Sequence, residues 1–432
     1  MGMERIPSKK QERLTDRVRF PAADVAAKVF ESEFADDLDR PNPEIVREIF
    51  NAFLETQVEN THSYSSEKHG VSFIHADLDA ATLARKILER RNVDIPEQRK
   101  ALKTKERQTD EYIFGSFFSP QNPSALFVFF EQGLNRLMLE VPEAIEALKK
   151  GESLQTRKIH YVGTPTRDIG HISNEFVESL KEGGAVERFG DLYAEFIGRT
   201  ESAVPVQKHE VLLRGISMGA GFAIETAKHL LDDGTATQSR EEAKKKSIPH
   251  LTVRIDTPPG QQEGEASRRK WQVPLGFAAD GIKSFFNDAT VRASANPFVG
   301  SLVKSLMPYL EKQGVREEMS EEDAALKKEA IKRVLNDLYA GIPIPENLRV
   351  TEVIGTDDTT MLLPFSEKKR AFRKSIDEQE ARHKGSLGER IVSGEGSRRT
   401  FGVDMTHAMP NFTHTHWRRF YRAAKTIENF KT

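Results

Sequence analysis

The amino-acid sequence predicts an α/β fold, in which helices flank a mostly parallel sheet. From about residue 111 onwards, short apolar runs typical of buried strands alternate with amphipathic helical patterns. The run at 124–130 is continuously apolar, which is typical of a strand covered on both faces. The pentapeptide Gly215–Gly219 joins another apolar run to a helix rich in small residues. Alternation of this kind favours a parallel sheet, because parallel neighbours need a crossover helix between them.

Six further segments carry the same strand signature. They are 112–114, 158–162, 211–213, 251–255, 349–354 and 401–405. Helices are predicted after the capping pair Asn42-Pro43, from Asp79 onwards, over 185–199, from the pentapeptide to Leu231, and over 417–430.

These elements divide the chain into four parts. Residues 1–110 form an N-terminal tail and helical extension, 111–259 the first part of the sheet domain, 260–346 a helical cap insertion, and 347–432 the second part of the sheet domain. The insertion is inferred because two amphipathic helices interrupt the alternation there. One of them opens at Ser320, with Asp323 in capping position, and stops at Gly341.

Composition excludes several classes of protein. Hydrophobic residues make up 38% and charged residues 30% of the 432 residues, the balance of a soluble globular protein. No apolar run reaches the roughly 20 residues that span a bilayer, and the first 20 residues lack the apolar segment of a secretory signal. Since there is no cysteine, disulfides, cysteine-ligated zinc and thiol catalysis are excluded. A cytoplasmic location is the default expectation.

Charge gives no sign of a nucleic-acid partner. The net charge is −2, so no overall field would attract a polyanion. The basic stretch 368–399 carries interleaved acids, which favours a solvated helix and loop over a nucleic-acid-binding patch. The histidines at 62, 69 and 75 share no metal-ligand spacing on one predicted element, so we expect no metal and no cofactor.

The pentapeptide Gly215–Gly219 has the pattern G-x-S-x-G, with Ser217 at its centre. A sharp turn from strand to helix forces this serine into a strained backbone conformation, so that its hydroxyl stands clear. Neighbouring chain segments then approach closely, which explains glycine on either side. The alternative interpretation is a glycine-rich turn with an ordinary serine.

A serine hydroxyl becomes a good nucleophile only when a base removes its proton, and the usual base is a histidine held by a carboxylate. The predicted strand at 349–354 runs into a turn that contains Asp357 and Asp358. The predicted strand at 401–405 is followed by His407. His414 and His416 are alternatives to this histidine, although they lie at the start of the last helix, where a solvated or capping role is expected.

The order Ser217, Asp358, His407 resembles that of the α/β-hydrolase superfamily, whose catalytic triad follows serine, acid and histidine along the chain. The resemblance covers roughly residues 110–430. It implies Ser217 as nucleophile, His407 as base and Asp358 as the acid, because the family places its acid three residues after a glycine that ends a strand, here Gly355. It also implies that 260–346 occupies the lid position.

The segment Glu131–Leu134 is similar to the family's His-Gly turn, which supplies one N–H to the oxyanion hole. The resemblance therefore implies the backbone N–H groups of Leu134 and Met218 as oxyanion donors. Two positions depart from the family pattern: Gln132 stands where histidine is usual, and Thr406 precedes His407 where glycine is common.

The resemblance implies a serine hydrolase that cleaves an ester, thioester or amide of a small or acyl-chain substrate through an acyl-enzyme. An esterase or lipase is favoured, while an acyltransferase or peptidase remains open. The alternative from another class is a catalytically silent binding or scaffold protein with the same fold. The sequence leaves the oligomeric state open.

Overall fold

The structure is a computed structural model. It describes residues 43–93, 108–115, 137, 140–152, 157–166, 170–182, 184–201, 209–256, 320–340, 343–355, 390–395 and 398–403.

A single mixed sheet of ten strands organises the described residues. The strands are β1 (Thr61–Ser66), β2 (Val71–Asp79), β3 (Gln108–Phe114), β4 (Arg157–Val162), β5 (Gly170–Ile172), β6 (His209–Ile216), β7 (His250–Asp256), β8 (Val350–Gly355), β9 (Arg390–Glu395) and β10 (Arg398–Val403). Their order is β1-β2-β4-β3-β6-β7-β8-β10-β9, with β5 paired to β2. The run from β4 to β10 is parallel, whereas β1, β2, β5 and β9 are antiparallel to their neighbours.

Helices cover both faces of this sheet, so the predicted fold class is confirmed. They are α1 (Pro43–Glu59), α2 (Ala80–Arg90), α3 (Asn174–Glu182), α4 (Ala185–Glu201), α5 (Gly219–Asp232), α6 (Arg240–Lys246) and α7 (Glu321–Ala340). Residues 141–150 are also helical. On one face, α3, α4, α5 and α7 share an apolar core with β3, β6 and β7. On the other face, α1 and α2 pack against each other and against β2.

Side-chain alternation along β6 explains the two faces. Val211 and Leu213 lie in the core shared with α4 and α5. Leu212 and Arg214 lie between them in sequence and therefore point to the opposite face, because successive strand residues alternate. Both are nevertheless buried. A central strand of a parallel sheet is expected to be covered on both faces.

The N-terminal part differs from the expected helical extension. The two predicted helices are present as α1 and α2, and the side chain of Asp79 caps α2 by accepting the N–H of Thr82 at 2.7 Å. Between them, however, 61–79 forms the hairpin β1–β2 at one end of the sheet. β2 is buried on both faces, with Phe73 on one face and Leu78 on the other. Residues 43–90 thus belong to the sheet domain, because β2 pairs directly with β4.

The predicted helix at the end of the insertion is confirmed as α7. It begins after Ser320, whose hydroxyl oxygen accepts the N–H of Asp323 at 3.0 Å. Its residues Ala330, Val334 and Leu338 are buried in the core shared with α3 and α4. Most of the expected cap, 260–319, lies outside the described residues.

Contacts of α7 also complete the start of α4. The carboxylate of Asp337 accepts the N–H of Val186 at 3.1 Å. The first N–H groups of a helix have no partner within the helix, so this carboxylate serves as a cap supplied from another segment. The last helix of the insertion is therefore attached to the sheet domain by both apolar and polar contacts.

The basic stretch 368–399 also differs from expectation where it is described. Residues 390–395 form β9, which pairs antiparallel with β10. β10 covers Arg398–Val403 and thus begins three residues before the predicted strand. The predicted strand at 124–130, the tail before residue 43 and the last helix at 417–430 lie outside the described residues. None of the described helices has the length and apolar character needed to cross a bilayer.

The close packing of α4 on α5 fixes the helix that follows Ser217. A Cβ atom on Gly190 would lie 2.5 Å from the Cβ of Glu225 and 2.8 Å from its carbonyl carbon. The other glycine of α4 that can be compared, Gly198, has no atom within 4 Å of the same position. The two glycines therefore form a matched pair within one helix.

We expect Gly190→Ala to lower the free energy of unfolding by about 1–3 kcal/mol, because the added methyl forces the two helices apart. Gly198→Ala should leave it unchanged or raise it by up to about 1 kcal/mol, since alanine is the better helix former. Urea denaturation followed by circular dichroism measures both. Equal stability of the two variants would contradict the close approach.

Candidate active site

Ser217 lies at the carboxyl edge of the parallel strands, between the end of β6 and the start of α5. Its backbone φ is +50°, in the left-handed region that residues other than glycine rarely adopt. Two hydrogen bonds hold this conformation. The N–H of Ser217 donates to the carbonyl of Asp256 at 2.9 Å, and its own carbonyl accepts the N–H of Ala220 at 3.0 Å. The turn is thus fixed on both sides of the serine.

The two glycines of the pentapeptide are required by close approach, as the sequence predicts. A Cβ atom on Gly215 would lie 2.5 Å from the Cα of Ala220 and would overlap the carbonyl oxygen of Gly219. A Cβ atom on Gly219 would overlap the carbonyl group of Phe114 on β3 and lie 2.9 Å from the N–H nitrogen of Gly115. Backbone on both sides leaves no room for a side chain, so the first turn of α5 can cross the sheet edge only with glycine at these positions.

The amino end of α5 adjoins Ser217. Met218 has helical backbone angles and takes the cap position of the helix, without a hydrogen bond from its own side chain. The N–H groups at the start of a helix carry a partial positive charge. A negative charge that develops on a group bonded to the Ser217 hydroxyl would be stabilised by this helix end.

The strand ends that precede the predicted acid and histidine lie at the same edge. β6, β7, β8 and β10 are consecutive and parallel, so their carboxyl ends meet there. Gly355, the last residue of β8, is paired with Val403, the last residue of β10. With about 4.8 Å between neighbouring strands, β8 lies roughly 10 Å and β10 roughly 14 Å from β6.

The side chains predicted from these strand ends lie outside the described residues. Asp358 comes three residues after β8, and His407 comes four residues after β10. The other predicted or alternative site residues that lie outside the described residues are Asp357, His414, His416 and Leu134. The structure therefore describes Ser217 and Met218 of the predicted site, together with the strand ends from which the acid and the histidine follow.

A buried carboxylate that the sequence analysis did not identify lies next to the elbow. Asp256 ends β7 and is 2% exposed. One of its oxygens accepts the Nε–H of Arg214 at 2.6 Å, and the other accepts the Nε–H of Arg254 at 2.7 Å. Burial alone would raise the pKa of the Asp256 carboxyl, but the two guanidinium groups outweigh it and hold this pKa below its ordinary value. Asp256 is therefore an anion within the sheet.

The network of ion pairs extends from β6 to the neighbouring strands β3 and β4. A second guanidinium nitrogen of Arg214 lies 3.4 Å from the carboxylate of Glu111 on β3, which is fully buried. Glu111 in turn accepts a hydrogen bond from Arg157 on β4 at 2.9 Å. Charged groups from four neighbouring strands thus compensate one another, as buried charges require.

A signal for this network exists in the sequence. Arg214 interrupts an apolar run three residues before Ser217, and a charge in a buried strand needs a partner. Arg254 and Asp256 are separated by two positions, so a strand places them on one face. In the register of β6 on β7, Arg214 lies opposite Arg254, and this brings Arg214 to Asp256. The sequence does not reveal this register.

Comparison with known proteins gives fold likenesses of low score. No family model matches the chain, and no curated protein matches its sequence. Among solved structures, a peroxisomal α/β-hydrolase from Saccharomyces cerevisiae aligns with a TM-score of 0.38 and 9% identity, over 86% of this chain and 87% of that one. A monoglyceride lipase from the same yeast gives 0.35 and 11%, over 85% and 93% of the two chains. An esterase from Pyrobaculum calidifontis gives 0.33 and 11%, over 93% and 95%.

At these scores and identities the likenesses say nothing of the activity of this chain. Its own geometry defines the fold: six consecutive parallel strands, helices on both faces, and Ser217 at the turn from β6 into α5 with left-handed backbone between two obligatory glycines. The described part of the chain accordingly has an α/β-hydrolase fold.

Proposed function

We propose that this protein is a serine hydrolase that cleaves an ester, thioester or amide through a covalent acyl-enzyme. The observation that carries the proposal is the conformation of Ser217, with φ of +50° at the sharp turn between β6 and α5. Such a conformation costs about 1–3 kcal/mol and clusters at functional sites. A serine that only ends a strand has no need of this strain or of glycines forced by backbone contact. Presentation of a nucleophile accounts for both.

The proposed reaction is an acyl transfer in two stages. The Oγ atom of Ser217 attacks the substrate carbonyl carbon while His407 takes the hydroxyl proton, and Asp358 holds the imidazole in the required tautomer. The resulting oxyanion accepts hydrogen bonds from the N–H groups of Leu134 and Met218. The intermediate collapses, and the leaving alcohol, thiol or amine takes the proton from His407. Water then attacks the acyl-enzyme by the same steps and releases the acid.

The position of Met218 supports its part in this mechanism. The residue follows Ser217 directly and begins α5, so its N–H belongs to the positive end of a helix of 14 residues. The assignment of Asp358 and His407 is supported by the strands that precede them, since β8 and β10 end at the same edge as β6. The reaction requires no metal and no cofactor.

The substrate we propose is a small molecule with an ester, thioester or amide bond, and an esterase or lipase-like activity is favoured. The predicted amphipathic helix at 298–310 favours an acyl chain or another apolar group, because a cap beside Ser217 would line the pocket with its apolar face. The second helix of the insertion, α7, does not contribute to such a cap, because its apolar face is buried in the core shared with α3 and α4. A catalytically silent binding protein is the alternative, and the labelling test below separates the two.

Replacement of Ser217 by alanine should abolish covalent labelling by a fluorophosphonate probe, because the probe phosphonylates the activated serine oxygen. The control is Ser179→Ala on α3, a serine whose hydroxyl donates to the carbonyl of Phe176 at 2.7 Å and lies away from the turn. It should be labelled like the wild type. Circular dichroism checks that both variants fold. Labelling that persists in Ser217→Ala would place the nucleophile elsewhere, and an unlabelled wild type would favour the silent binding protein.

Asp358→Asn should reduce turnover of p-nitrophenyl esters by roughly 10⁴-fold with little change in thermal stability, because an amide favours the wrong imidazole tautomer. The neighbouring variant Asp357→Asn is the matched control and should retain most of the activity. The assignment fails if the large loss occurs in Asp357→Asn instead.

In the same assay, His407→Gln should be inactive, while His414→Gln and His416→Gln should remain active.

A further inference from the structure

We propose that Asp256 is a positioning residue for the nucleophile, and that its buried ion pairs with Arg214 and Arg254 hold Ser217 in place. The catalytic consequence of this inference rests on the proposed function. The inference itself concerns a mechanical link from a carboxylate to the serine backbone, and this link exists in the protein whatever its substrate.

The link begins at the backbone of Asp256. Its carbonyl oxygen accepts the N–H of Ser217 at 2.9 Å. Because Ile216 is the last residue of β6 and is paired with Asp256, this bond is the last rung of the ladder between β6 and β7. Any shift of Asp256 along or away from β6 therefore moves the anchor of the serine.

The side chain of the same residue ties that anchor to β6 through Arg214 and braces it within β7 through Arg254. Arg214 on β6 and Arg254 on β7 are opposite each other in the register, and each donates its Nε–H to a different oxygen of Asp256. Hydrogen bonds between ionised groups are shorter and stronger than neutral ones, and here they are shielded from water. The bond from Arg214, three residues before Ser217, thus clamps β7 to β6, while the bond from Arg254 stiffens the end of β7.

The ion pairs of Asp256 matter because the backbone of Ser217 is strained. A left-handed serine relaxes unless the surrounding structure holds it, and each backbone hydrogen bond of the turn is by itself a weak restraint. The bond from Ser217 is also at the end of the ladder, where strands otherwise separate most easily. A rigid anchor at Asp256 adds to the restraint that the hydrogen bonds of the turn and the glycine contacts provide.

Two other roles for Asp256 fit the structure less well. Its carboxylate already has two guanidinium partners that compensate its charge, so it does not need an imidazole as a partner. Its neighbours Val253 and Ile255 lie in the core shared with α4 and α5, so Arg254 and Asp256 occupy the opposite face of β7. A role in stability alone predicts no change in the reactivity of Ser217 when the side chain of Asp256 is replaced in a variant that still folds.

Asp110 offers a matched control for a merely structural buried acid. It is 3% exposed on β3, and its carboxylate lies 2.8 Å from Nε2 of His160. Asp110 is paired with Val211, six residues before Ser217 on β6 and thus roughly 20 Å away along the strand. Asp110→Asn and Asp256→Asn therefore make the same chemical change at equally buried sites of one sheet.

The test compares the two variants by the rate of fluorophosphonate labelling of Ser217, measured well below the unfolding temperature of each. We expect Asp256→Asn to slow labelling by about 10- to 100-fold, since small displacements of a reacting group have effects of this size. Turnover of p-nitrophenyl esters should fall in kcat by the same factor, with KM changed less than threefold. Asp110→Asn should label within twofold of the wild type, even where its urea midpoint is lower.

Amide hydrogen exchange separates this inference from the proposed function. In Asp256→Asn, the N–H of Ser217 should exchange at least tenfold faster than in the wild type, whereas Asp110→Asn should leave it unchanged. If the wild type is not labelled at all, the proposed function fails, and this exchange measurement alone supports or overturns the link. If Asp256→Asn does not fold, Arg254→Gln takes its place, because it removes one of the two ion pairs and should give the same direction of change.

A folded Asp256→Asn variant that labels as fast as Asp110→Asn, with unchanged exchange at Ser217, would overturn the inference and leave Asp256 a purely structural acid.

Discussion

The contact between the first turn of α5 and the backbone of β3 is the constraint on which the site depends. Gly219 lies so close to the carbonyl group of Phe114 that a methyl group cannot be placed between them. The helix therefore enters directly over the parallel strands, and the chain must reverse within one or two residues after β6. Ser217 occupies that reversal, and its left-handed backbone follows from the lack of space. Packing, in this case, dictates a conformation that an isolated peptide would avoid.

The same geometry concentrates charge beneath the turn. The side of the sheet that faces away from α5 carries the carboxylates of Glu111 and Asp256 together with three arginines from β4, β6 and β7. An apolar sheet could have filled this space. Ionic contacts are more directional than apolar ones, and the bond from Arg214 on β6 to Asp256 on β7 depends on the register of the two strands. Such a network favours one alignment of β6 and β7 over its neighbours.

Local patterns in the sequence predict much of this architecture. Apolar runs identify β3, β4, β6, β7 and β8, and capping residues such as Asp79 and Ser320 locate the starts of α2 and α7. The glycines of the pentapeptide predict the turn at Ser217. Non-local pairing escapes such patterns: the polar segment Thr61–Ser66 becomes a strand only because β2 pairs with it. The partners of Asp256 likewise depend on a register that joins residues 42 positions apart.

The attachment of α7 to α3 and α4 has a consequence for how the molecule can be divided. Its apolar residues fill the common core, and the carboxylate of Asp337 completes the amino end of α4. The last helix before β8 thus belongs to the core of the sheet domain. Excision of the whole segment between β7 and β8 would therefore open a hole in that core. A version of the chain shortened between β7 and β8 must therefore keep α7 if the sheet domain is to stay packed.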